Sequence, residues 1–133
     1  FGSQCVVLAI DTKYVDGDWQ VFINGGRTPA ELETIDWVKM AVDLGVGEIL
    51  LTSINNDGTK KGFALDILEM VSKSVNVPVI ASGGAGSMED FKILFTKTKA
   101  TAGLAASVFH YGEIPIPKLK SYLITNKIPV RCK

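Results

Sequence analysis

The sequence predicts an α/β fold of four consecutive parallel βα units, on three observations. Short apolar runs recur at residues 5–10, 48–54, 77–82 and 102–108, and none alternates polar with apolar residues, the mark of strands buried on both faces. Helical patterns fill the intervals between them. No low-complexity stretch or flexible linker interrupts the series, so the 133 residues are expected to form a single domain, 1–133.

The first run ends at Asp11. Residues 16–29 then interrupt the βα alternation: Asp16-Gly17-Asp18 has turn chemistry, residues 19–23 look strand-like, and Asn24-Gly25-Gly26 is another turn. This predicts a hairpin inserted after the first strand. Over residues 34–44, Ile35, Val38 and Val42 fall on one stripe, and Gly45 stands where a helix C′ residue belongs. The second strand opens on Glu48. A helix over 65–75 buries Ile67, Leu68, Val71 and Val75. After the third strand, Ser87 and Asp90 form a capping-box variant for a helix that presents Phe91, Leu94 and Phe95. The last helix, about 117–125, starts on a proline, which a first helical turn tolerates.

Two architectures accept this order with right-handed crossovers. One is an open doubly wound sheet; the other is part of a (βα)8 barrel, whose usual length of about 250 residues is nearly twice this chain. Four units would make half a barrel. The chain begins Phe1-Gly2 rather than with Met and enters its first strand almost at once, which suggests a cut end.

Composition narrows the function. Fourteen basic and fourteen acidic residues cancel, so no net field recruits nucleic acid or an anionic membrane, and an anion would have to be held by local geometry. No apolar run approaches the roughly 20 residues of a membrane span. Cys5 and Cys132 have no metal-ligand spacing, and His110 is the only histidine, so no metal is expected. A reducing cytoplasm is the simplest setting, and no cofactor is implied.

Ligands of barrels sit at the C-terminal ends of the strands. Those ends are Asp11, Thr52-Ser53, Ser82-Gly83-Gly84 and Ala106-Ser107. Gly83 and Gly84 follow an apolar strand and precede a capped helix, so their N–H groups can approach an oxyanion unobstructed; Ala106-Ser107 offers matching donors. Alternatively, Gly-Gly only turns the chain tightly. Asp57 and Gly58, in a loop of ordinary turn composition, would reach the same phosphate through their N–H groups. Lys60 and Lys61 would add positive potential, though solvated loop lysines are the more common case. Asp11 would project into a mostly apolar pocket and suits proton transfer; an aspartate that merely bonds its own turn fits equally well. Thr52 and Ser82 could orient substrate hydroxyls or satisfy backbone groups.

Val7-Leu8-Ala9-Ile10-Asp11, Asn24-Gly25-Gly26-Arg27, Gly47-Glu48-Ile49-Leu50-Leu51-Thr52-Ser53, Asn56-Asp57-Gly58-Thr59, Ile80-Ala81-Ser82-Gly83-Gly84-Ala85-Gly86 and Leu104-Ala105-Ala106-Ser107-Val108-Phe109-His110 together resemble the cyclase family of imidazole glycerol phosphate synthase. The resemblance covers essentially the whole chain and falls on strands five to eight of that family's (βα)8 barrel. It implies a lyase that adds ammonia, released from glutamine by a partner glutaminase, to a ribulosylated aminoimidazole nucleotide. The products are imidazole glycerol phosphate and an aminoimidazole carboxamide ribotide of histidine biosynthesis.

The resemblance also implies roles. Asp57, Gly58, Ser82, Gly83, Gly84, Ala106 and Ser107 would hold one of the substrate's two phosphates, with Asn24 and Gly25 near the substrate. Asp11 matches one of a pair of catalytic aspartates, and Glu48 matches a charged residue gating ammonia entry at the barrel base. Alone, such a half is expected to be nearly inactive and to self-associate or to pair with an N-terminal half-barrel. The alternatives are an isomerase of the same pathway, a paralogous amidotransferase cyclase, and a non-catalytic phosphate-binding fragment.

Overall fold

Among the described residues, twenty-one buried apolar side chains, from Ile10 to Leu123, form one cluster between the sheet and its helices. The computed structural model describes residues 1–132. Four parallel strands form the frame: β1 (Val7–Val15), β4 (Glu48–Ser53), β5 (Val79–Ser82) and β6 (Ala102–Leu104). Helices α1 (Thr34–Asp43), α2 (Leu65–Ser74), α3 (Met88–Lys97) and α5 (Ile116–Thr125) alternate with them, and α4 (Ser107–His110) is a single turn. The parallel order is β1-β4-β5-β6, with each strand beside its predecessor.

The helices all lie on one side. Along β4, Ile49 and Leu51 are fully buried while Glu48, Leu50 and Thr52 are only half-buried. Gly103 of β6 faces the helices too, because a Cβ there would press on Phe91 and Leu94 of α3. One-sided helices exclude the doubly wound sheet, which needs them on both faces. The four units form half of a (βα)8 barrel, and the expectation of strands covered on both faces holds only for the helix side. Among the described residues no layer covers the inner face, which leaves Val7 and Leu104 exposed.

The inserted segment is larger than a hairpin laid on the rim. β1 runs on to Val15 and pairs antiparallel with β2 (Asp18–Ile23), which pairs with β3 (Thr28–Glu33), extending the sheet to six strands. This extension engages only the second half of β1, from Asp11 onward. A buried bond between the Thr12 and Thr34 hydroxyls, 2.6 Å long, ties β1 to the start of α1.

The capping box forms as expected: Ser87 Oγ accepts from Asp90 N, and Asp90 Oδ2 accepts from Ser87 N at 2.8 Å. The fourth apolar run departs from expectation. Its strand stops at Leu104, and Ser107 to His110 turn into α4 instead of continuing the sheet. Tyr111 N–H donates back to the Ser107 carbonyl at 2.9 Å, closing that turn.

Candidate functional site

Register brings the strand ends together. Asp11 of β1 stands opposite Thr52 of β4, Thr52 opposite Ser82 of β5, and Ser82 opposite Leu104 of β6, so the four side chains make one row across the upper inner face. Alternation along parallel strands puts Ala9, Leu50, Ile80 and Ala102 in the row below. Asp11 and Thr52 are half-buried and Ser82 is buried. The row therefore sets one carboxylate beside two hydroxyls, above an apolar floor.

Next to the row lies a cleft of about 190 Å³. One wall is Ser82-Gly83-Gly84-Ala85, the facing wall is Leu104 to Ser107, and Asp57, Gly58 and Lys60 close the third side. Seven of the residues expected to hold phosphate, Asp57, Gly58, Ser82, Gly83, Gly84, Ala106 and Ser107, line this one space. The N–H groups of Gly58, Gly84, Ala106 and Ser107 take no part in the turn and loop bonds among the described residues. That leaves them available to an oxyanion. The Asp57 N–H is not available: it donates to the Ser53 carbonyl at 2.9 Å and closes the turn after β4. Of the pair expected from that loop, Gly58 alone offers a free amide.

A polar scaffold fixes the walls. Ser53 Oγ donates to Asn56 Oδ1 at 2.8 Å, Asn56 Nδ2 donates to the Gly62 carbonyl at 2.9 Å, and Gly62 N–H donates to the Gly84 carbonyl at 2.8 Å. Asn56 thus ties the end of β4 to the far side of its own loop, and Gly62 joins that loop to the one after β5; the role of Asn56 is hidden in a segment whose composition resembles any tight turn. Gly83, at φ 92°, lies so near β4 that a Cβ would stand 2.7 Å from the Ser53 carbonyl oxygen. Here the glycine is required by the approach of the two strand ends.

Four expected residues lie elsewhere. Asn24 and Gly25 form the exposed β2–β3 turn, where Asn24 adopts φ 55° and its Nδ2 donates to Thr28 Oγ1 at 3.3 Å; neither lines the cleft. The turn still reaches the rim, since a Cβ on Gly26 would meet Ile54 just beyond β4. Glu48 is half-buried at the opposite end of β4, about 13 Å from Thr52 at the usual rise per residue. Lys61 is absent from the cleft lining, whereas Lys60 belongs to it and pairs with Glu113, a residue that no sequence pattern singles out.

No group of three or more His, Cys, Asp or Glu side chains among the described residues is placed to hold a metal ion. No helix among them is long and apolar enough to cross a membrane.

Comparison with known proteins agrees with this geometry. The histidine biosynthesis protein family matches residues 1–115. Proteins named imidazole glycerol phosphate synthase subunit HisF, from Hydrogenobaculum sp. (strain Y04AAS1), Streptococcus gordonii and Streptococcus sanguinis (strain SK36), are each 54% identical over 132 residues. Each alignment covers 98% of this chain and 52% of the relative, so the chain spans about half the length of the curated relatives it matches. With a half-barrel frame, a rim cleft and this degree of identity in agreement, the chain belongs to the histidine biosynthesis protein family.

Proposed function

We propose that the chain, as a single half-barrel domain over residues 1–133, supplies one phosphate site and one catalytic aspartate to an ammonia-dependent cyclase of histidine biosynthesis. The observation that carries this reading is the adjacency of the cleft to the row Asp11, Thr52 and Ser82. A phosphate seated on the N–H groups of Gly58, Gly84, Ala106 and Ser107 would hold its substrate beside a carboxylate positioned for proton transfer. Ser82 and Gly83 shape the cup, while Thr52 orients substrate hydroxyls beside Asp11. Asn24 and Gly25 would reach the substrate only through movement of the β2–β3 turn.

Glu48, at the far end of the inner face, suits the entry of ammonia from a partner glutaminase. The reaction would take place in the cytoplasm and need no cofactor. Ammonia addition and cyclisation also require a second acid–base group, which a complementary half-barrel would provide across the open inner face. A second copy of the chain offers the same apolar face and repeats Asp11, but not the residues of the complementary half, so self-association would close the sheet but leave the chain nearly inactive.

The test mixes the chain with a complementary N-terminal half-barrel, adds the ribulosylated nucleotide and ammonia, and follows formation of imidazole glycerol phosphate. Asp11→Asn should lower turnover by about 10² to 10⁴ while phosphate still binds. Undiminished turnover in that variant would remove Asp11 from the mechanism. Phosphate binding without turnover in the reconstituted pair would favour a non-catalytic phosphate module.

A further inference from the structure

Lys60 is the only basic residue lining the cleft among the described residues, and Asp57 shares that lining. The Lys60 ammonium is already engaged, with Nζ 2.7 Å from Glu113 Oε1 and 2.9 Å from Oε2. Glu113 lies in the loop after α4, the helical turn that begins at the cleft residue Ser107. The ion pair therefore joins the outer ends of two different walls.

The backbone beneath Lys60 is fixed. Lys60 has φ 56°, a left-handed conformation uncommon for a lysine, and its carbonyl lies so close to Gly86 that a Cβ there would overlap it. The side chain is thus launched from a set point on the rim and has two acidic or anionic destinations: the Glu113 carboxylate, and any anion in the cup. The side chains of Lys60 and Glu113 are 43% and 41% exposed, so their pairing is weak and easily exchanged. While the pair holds, the lysine charge is cancelled by Glu113, and the Asp57 carboxylate is left to oppose an incoming anion. A phosphate dianion offers three strong acceptor oxygens to the same ammonium.

Resting on the reading of this cleft as a phosphate site, we propose that Lys60 is an exchangeable cation. It is held by Glu113 when the cup is empty and transferred to the phosphate when the cup fills. Glu113 is then a built-in competitor that sets the cup's affinity, and Lys60 is the residue that makes a dianion preferred. The backbone amides give the cup its shape, and this pair gives it its charge response.

Titration of the 133-residue chain with inorganic phosphate at low salt, followed calorimetrically, tests the exchange. Glu113→Gln should tighten binding by about two- to fivefold, the range set by a surface ion pair. Lys60→Gln should weaken binding, and Lys60→Arg, which keeps the charge, should largely restore it. In the double variant Lys60→Gln/Glu113→Gln, the effect of Glu113→Gln should vanish. Circular dichroism melting identifies any variant that has lost its fold, and the variants that remain folded then decide. Unchanged affinity in Glu113→Gln, or a full effect of it in the double variant, overturns the exchange while leaving the phosphate site intact. Failure of the unsubstituted chain to bind phosphate removes the site itself, and the exchange with it.

Discussion

Gly84 and Gly62 are locked backbone to backbone: the Gly62 N–H donates to the Gly84 carbonyl at 2.8 Å, and a Cβ on Gly84 would overlap the Gly62 carbonyl oxygen. Gly84 also sits at φ 108°, where an L side chain is strained. Gly84→Ala should therefore cost more than about 1 kcal/mol in urea denaturation. It should also abolish phosphate binding, because the loop carrying Lys60 must move away from the cup. Retained affinity in a destabilised Gly84→Ala chain would mean that the cup does not depend on this contact.

The hydroxyls of Thr12 and Thr34, both fully buried, give a second test. Thr12 Oγ1 donates to the Gln20 carbonyl at 3.2 Å, which leaves Thr34 to donate to Thr12. Thr12→Val strands both partners and should destabilise the chain by about 1–3 kcal/mol. Adding Thr34→Val removes one stranded group, so the double variant should lose less than the two single variants summed. Strict additivity in urea midpoints would show that the pair is not coupled.

What the sequence made legible was local or repeated. The Ser87–Asp90 box spans three residues, and Asp11, Thr52 and Ser82 each end an apolar run, so their row follows once the strands are parallel and in step. β3 was hidden because it is an exposed edge strand carrying Pro29, which pairs opposite Phe22, and Glu31 at φ 55°. Such residues argue against a strand unless one side needs no partner. Lys60 and Glu113 stand 53 positions apart in two polar loops, and only the fold brings their charges together. The Asp57 amide eluded the sequence for another reason: composition identifies a turn but not which of its N–H groups the turn consumes.

The open inner face predicts association. Among the described residues, 7–10 of β1 pair only with β4 and β6 pairs only with β5, and the exposed Val7 and Leu104 belong to these two borders. β3, at the far end of the sheet, carries the proline and charges that discourage edge pairing; the two inner borders do not. Light scattering at micromolar concentration should find the chain larger than a monomer, and Val7→Lys with Leu104→Lys should shift it toward one. A well-ordered monomer without substitutions would defeat this expectation.

Glu33, at the end of β3, gives the pH response a definite sign. Asp18 above all, and Asp36 next, repel its charge and hold its carboxyl above the ordinary value of 4.5. The folded chain therefore binds this proton more tightly than the unfolded chain does. The resulting stabilisation is fully present below the ordinary value and is lost as pH rises through the raised one, so at neutral pH the Glu33 carboxylate works against the fold. Glu33→Gln should melt higher than the parent chain at pH 7. The advantage should disappear near about pH 3, where both states of the parent are protonated. It should also shrink in high salt, because these carboxylates are exposed and screened. Equal melting of the two chains at pH 7 and low salt would show that the Asp18–Glu33 repulsion is relieved by side-chain motion.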